Sequence, residues 1–245
     1  PRRVHAGAPR RPPHRQRGGA GGLPAEPGAH GQHQSAIANI NGSDERVNVD
    51  VAVLDTGSGP HPDLNIAGGK DCTGGSNYSD GNGHGTHVAG TIGALDNSIG
   101  VVGVAPGARI WSVKVLDSQG SGYGSWLICG IDWVTANSAT IEVANMSLGG
   151  VGYPDDNNCG YTNGDTIHQA ICRAVSAGVT WAVAAGNDGK DAKGYFPASY
   201  NEVITVSALN DQDGAVGNDV LASFSNFGQD VDVIAPGVAI LSSAP

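Results

Sequence analysis

Cationic side chains are scarce in this chain. Thirteen Lys and Arg stand against 23 Asp and Glu in 245 residues, for a formal net charge of -10. Six of the 13 are arginines within the first 17 residues, so the other 228 residues carry seven basic groups against all 23 acids. A body that acidic repels phosphate backbones, and nucleic acid is not expected as a partner. Long apolar runs are missing too: no stretch approaches the ~20 residues that a membrane-spanning helix needs, so no membrane association is expected. The four cysteines, Cys72, Cys129, Cys159 and Cys172, include no C-x-x-C pair. The N-terminus has no apolar core of a signal peptide.

Glycine, in contrast, is abundant. Its 39 copies exceed twice the usual share of ~7% without any three-residue period, which excludes collagen and favours tight turns around a glycine-lined site. Residues 1–35 hold Arg, Pro, Gly, Ala and His with only Val4 and Leu23 as larger apolar residues. They are too few to bury a face, and the segment is expected to be a disordered basic tail. Residues 36–245 are expected to form a single domain, in which short apolar runs alternate with helical segments, the pattern of an α/β fold with a mainly parallel sheet. The runs predict strands over 47–54, 110–115, 143–147, 180–184, 203–207 and 231–234. Helices are expected over 84–93, 125–137 and 165–177.

Three motifs carry chemistry. The run V-A-V-L-D-T-G ends a predicted strand on Asp55, delivering a carboxylate to the edge where sites lie in open α/β sheets. Twenty-nine residues on, N-G-H-G-T-H-V-A-G-T sets His84 at a glycine-lined helix start. Later, A-V-A-A-G-N-D-G ends another strand on Asn187. D-T-G-S at Asp55 also matches an aspartic protease signature, but no second D-[ST]-G exists to complete a carboxylate pair. His84 and His87 are three apart, yet no third ligand at a convincing spacing supports zinc. Four cysteines allow three pairings. The short loop Cys159–Cys172 is favoured, which leaves Cys72 with Cys129 and leans toward an oxidising compartment.

Together, the three motifs resemble those of subtilisin-like serine proteases, over roughly residues 45–245. The resemblance implies a three-layer α/β sandwich, with Asp55 orienting His84, His84 as general base, and Asn187 donating to an oxyanion. It implies that Gly120, Ser121 and Gly122, with Ser147, Leu148 and Gly149, flank an extended peptide substrate as strands. It also implies a calcium site built from Asp63 and Asn97 with main-chain oxygens of Leu95, Ile99 and Val101. A secreted, monomeric endopeptidase is expected. The family's nucleophile lies in a G-T-S-M-A segment, and none occurs in these 245 residues. Ser242 and Ser243 lack its flanking glycine and read as loop serines. The chain is therefore expected to be a fragment that stops before the nucleophile and is inactive by itself, with an inactive peptide-binding module as the alternative.

Overall fold

The computed structural model describes residues 3–6, 38–211 and 218–244. Its strands are β1 (Arg3–Ala6), β2 (Asp50–Asp55), β3 (Ile66–Asp71), β4 (Arg109–Lys114), β5 (Ser121–Tyr123), β6 (Val143–Met146), β7 (Leu148–Val151), β8 (Thr180–Ala184), β9 (Tyr195–Phe196), β10 (Ile204–Asn210), β11 (Val220–Leu221) and β12 (Val233–Pro236). The helices are α1 (His84–Gly93), α2 (Gly124–Ala136) and α3 (Thr166–Ser176).

The main sheet runs β11-β10-β8-β6-β2-β4-β3, with β12 also on β10; every pairing is parallel except β10 with β11. Strand β2 is buried along its whole length, as its apolar run DVAVLD requires. The two-residue period of a strand sends its side chains to opposite faces. Ala52 and Leu54 join a core with Leu127 and Ile131 of α2 and Ile167 and Ile171 of α3, while Val51 and Val53 join Ala89 of α1 and Ile110 of β4. Helices thus cover both faces, giving the three-layer α/β sandwich.

Helix α3 shows why these segments are helical. Ile167, Ala170, Ile171 and Ala174 recur on one buried stripe, and the Asp165 carboxylate accepts the N–H groups of Ile167 and His168 as an N-cap.

A second, antiparallel sheet of order β5-β1-β7-β9 has no counterpart in the apolar runs. Its members SGY and LGGV are too short and too rich in glycine to show alternation, and only their pairing makes them strands. The expected continuous strand through Ser147 is broken there, because β6 stays in the main sheet and β7 leaves it. Strand β3, sequence IAGGKD, escaped notice for the same lack of pattern. The expected tail also needs correction. Arg3–Ala6 is a strand, because its backbone finds two edges to pair with; the remainder of residues 1–35 lies outside the described residues.

Candidate active site

The sheet order changes direction at β2. Strands β4 and β3 lie on one side of it and β6, β8 and β10 on the other, and crevices for ligands form at the carboxyl ends of strands at such a switch point. Asp55 is the last residue of β2, and Asn187 lies three residues past the end of β8.

Asp55 is fully buried, while the side chain of His84, the first residue of α1, keeps 11% of its surface exposed. The His84 Nδ1 lies 2.8 and 2.9 Å from the two oxygens of Asp55. The Thr56 N–H donates to the same carboxylate at 2.7 Å. A proton on Nδ1 is thus shared with a fixed anion, which leaves Nε2 as the basic nitrogen facing out of the carboxylate's shelter. Gly85 makes this approach possible. A Cβ there would collide with the Gly57 carbonyl oxygen and stand 3.0 Å from the Asp55 Cβ.

Asp80, which no sequence motif singled out, holds the helix start in place. Its carboxylate accepts from the N–H groups of Asn82, Gly83 and Thr86, and from the hydroxyls of Thr86 and Thr56. Thr56 Oγ1 in turn accepts the Gly85 N–H. Burial by itself would raise the Asp80 carboxyl, but the Thr86 hydroxyl and the N–H groups of Gly83, Asn82 and Thr86 outweigh it and hold the group below its ordinary range. The sequence signal that could have found it is an acidic residue four positions ahead of a helix that has no acid in its own first turn.

The two segments expected to flank substrate are paired with a strand of the chain itself. In β1, Arg3, Val4 and His5 pair with Tyr123, Gly122 and Ser121, and His5 and Ala6 pair with Gly149 and Leu148. The Ala6 N–H donates to the Gly120 carbonyl at 2.8 Å, and His5 Nδ1 lies 3.0 Å from the Ser121 hydroxyl. Val4 is 1% exposed and joins the core that contains Leu127 and Leu148. The chain's own N-terminal strand therefore lies between the two segments singled out for substrate. Ser147 links β6 to β7, and its hydroxyl accepts from the Asn145 amide at 3.1 Å. Asn187 is exposed on a bend.

Ser242 and Ser243 lie along α1, against Gly90. The Ser242 hydroxyl donates to the His87 carbonyl at 2.6 Å, and Ser243 is buried. His87 places Nε2 3.2 Å from the Ile240 carbonyl, so the two histidines of the motif face different partners.

Asp63 is completely buried, and its Oδ1 accepts from the Asn97 amide at 2.8 Å while Oδ2 has no hydrogen-bond partner. Leu95 donates its N–H to the Asp63 carbonyl, and Ile99 donates to the Asn97 side chain. An unpartnered buried carboxylate oxygen fits a hard cation. The structure joins Cys72 to Cys129 and Cys159 to Cys172.

Comparison with known proteins agrees with this geometry. The profile of the Subtilase family matches residues 46–244. Subtilisin E of Bacillus subtilis (strain 168) is 46% identical over 205 residues, covering 81% of this chain and 49% of that protein. The subtilisin of Bacillus pumilus is 46% identical over 205 residues, 81% of this chain and 68% of the relative. The minor extracellular protease Epr of Bacillus subtilis (strain 168) is 43% identical over 199 residues, 80% of this chain and 28% of the relative. The chain thus spans about half the length of several curated relatives it matches. With the profile covering most of its length, this chain belongs to the subtilase family of serine endopeptidases.

Proposed function

We propose that the protein hydrolyses peptide bonds as a serine endopeptidase in which Asp55 orients His84 and His84 acts as general base. The observation that carries this reading is the His84 Nδ1 held between both oxygens of a buried Asp55 at the carboxyl end of the central strand. In that arrangement, His84 Nε2 accepts the proton of a serine hydroxyl as it attacks the substrate carbonyl. It then returns the proton to the leaving amine, and water repeats the sequence to release the acyl group. Asp55 stabilises the imidazolium formed in between. Asn187, past the end of β8, donates its amide to the oxyanion. The family's G-T-S-M-A nucleophile segment does not occur in these 245 residues.

The substrate is an extended peptide. Strand β1 supports this, since an ordinary stretch of chain seats there antiparallel to β5 and β7 through main-chain pairing. Gly120, Ser121, Gly122, Ser147, Leu148 and Gly149 form the walls, and the burial of Val4 favours substrates with an apolar side chain at the corresponding position.

Calcium is proposed at Asp63, with Asn97 and the main-chain oxygens of Leu95, Ile99 and Val101. The unpartnered Asp63 Oδ2 supports it, and the ion's part is to stiffen the loop after α1. The relative named as an extracellular protease and the two disulfides support an extracellular enzyme. No helix among the described residues is long and apolar enough to cross a membrane.

The test is expression of the protein with the family's serine segment, followed by hydrolysis of peptide p-nitroanilides and labelling by a fluorophosphonate. Turnover abolished by His84→Ala, and labelling lost with it, is the expected result. Undiminished turnover in that variant would sink the assignment.

A further inference from the structure

A second imidazole, His168 of α3, lies outside the site described above. It is completely buried, and its ring stacks on Tyr200 with centroids 4.1 Å apart and planes 1° from parallel. Three carboxylates face it. Glu202 Oε2 lies 2.7 Å from Nε2, Asp155 Oδ2 lies 3.7 Å from the same nitrogen, and Asp156 Oδ1 lies 3.8 Å from Nδ1. The side chains of Asp155 and Asp156 are 9% and 7% exposed.

The short contact with Glu202 places a proton on Nε2. In the neutral ring, the lone pair then sits on Nδ1, which is buried and has no hydrogen-bond partner. A buried lone pair left unpaired 3.8 Å from a carboxylate oxygen is unfavourable. A proton on Nδ1 would not close the gap, since 3.8 Å is beyond the reach of an N–H···O hydrogen bond. A metal ion would close it. Two bonds of about 2.1 Å to one ion allow donor atoms up to about 4.2 Å apart. One ligand atom from each of Asp155, Asp156 and His168 lies within 4.8 Å of the others, so seating one ion on all three requires the Asp155 carboxylate, which lies 3.7 Å from Nε2, to move toward Nδ1. The Glu202 contact is also the arrangement that metal-bound histidines use, with the second ring N–H given to a carboxylate that fixes tautomer and orientation.

We propose that Asp155, Asp156 and His168 form a divalent transition-metal site, with Glu202 orienting the His168 ring. Mixed imidazole and carboxylate donors suit zinc, cobalt or manganese better than calcium, which prefers an all-oxygen set. The carboxylate of Asp156 is already fixed by the N–H groups of Asn158, Gly160, Thr162 and Asn163. Those donors compete for the same oxygens, so the affinity is moderate, in the micromolar range. The site ties three pieces together: the loop after β7, the start of α3 and the turn around Tyr200. Because that loop continues from the groove wall and its Tyr153 carbonyl accepts from Ser199, an ion there stiffens one side of the substrate groove.

The test is titration of the 245-residue chain with cobalt(II), read by visible d–d absorption and by X-ray absorption for a nitrogen donor. Histidines elsewhere in the chain supply a background, so the signal is the difference between variants. The expected result is one micromolar site that calcium does not displace. His168→Gln should weaken it about 100-fold and Asp155→Asn about tenfold. Glu202→Gln keeps an acceptor for Nε2 and should weaken binding less than Asp155→Asn does. Far-ultraviolet dichroism checks the fold of each variant. Equal binding in the wild-type chain and in folded Asp155→Asn would overturn the proposal. So would a nitrogen-edited spectrum of the wild-type chain in which saturating cobalt leaves the His168 ring unperturbed.

Discussion

His84 and His168 are both imidazoles set against carboxylates, yet they are built for opposite ends. His84 faces one carboxylate through Nδ1, at the start of a helix and at the open carboxyl edge of the sheet. His168 faces three, inside a loop stapled by Cys159–Cys172, with no exposed surface. A base that must take and return a proton needs one oriented partner and a free nitrogen near substrate. A ring enclosed by anions on both sides can do neither, and is suited to holding an ion or a loop. The residue type is the same; the number of anions around it and its access to the groove decide the role.

The comparison breaks most sharply at the partner carboxylate. In the enzyme carrying its serine, Asp55→Asn should lower kcat by about 10⁴ by favouring the wrong tautomer of His84, with KM little changed. Asp155→Asn, the corresponding change beside His168, should leave kcat within a small factor of wild type. Equal losses in the two variants would show that the two histidines are not functionally distinct.

A smaller effect should follow from Asp80→Ala, which removes the acceptor of three N–H groups at the start of α1 without touching substrate. Displacing His84 by about 1 Å costs on the order of 10² in kcat. The pH dependence of kcat should move as well, since the His84–Asp55 contact changes. A kcat loss with an unmoved profile would make Asp80 a purely structural cap.

Calcium separates the two regions thermally. With calcium at a hundredfold excess over its Kd, the protein should gain about 2.7 kcal/mol. Asp63→Ala should remove that gain while leaving cobalt binding at His168 intact, as calorimetry in the presence of each ion would show. A melting response to calcium that is unchanged in the variant would place the ion elsewhere.

The smallest effect is acid titration of the His168 loop. Partial burial raises the Asp156 carboxyl, but the N–H groups of Gly160, Asn158, Thr162 and Asn163 outweigh it and hold it at about 2, against an ordinary 3.8. A depressed carboxyl contributes stability that is complete above the unfolded value. That contribution should therefore be present above about pH 4 and be lost as pH falls toward 2. Asp156→Asn should flatten the stability profile across that window; an unaltered slope would count against the loop's role as a carboxylate nest.

Apolar period and glycine placement account for what was readable in advance. The all-buried DVAVLD of β2 and the stripe of α3 announce themselves because burial demands side chains of one type at a fixed repeat. Asp55, His84 and Asn187 were legible because each follows an apolar strand or a glycine-lined turn that has few other uses. Strands β5 and β7 were not readable from any period, since SGY and LGGV carry none; only the family resemblance implied that these segments flank substrate as strands. Strand β1 was expected to be disordered for want of apolar residues, although it needs only Val4 for the core and main-chain edges for the rest.

By itself, the sequence determined the parallel sheet, because apolar runs are local to each segment, and the resemblance of its motifs to the subtilase family implied that Asp55 and His84 meet at the carboxyl end of β2. Only the tertiary structure decided which carboxylates meet His168, what Asp80 holds, and that the chain's own N-terminal strand lies in the groove. Those relations join residues up to 144 positions apart, and long-range proximity leaves no trace in local composition.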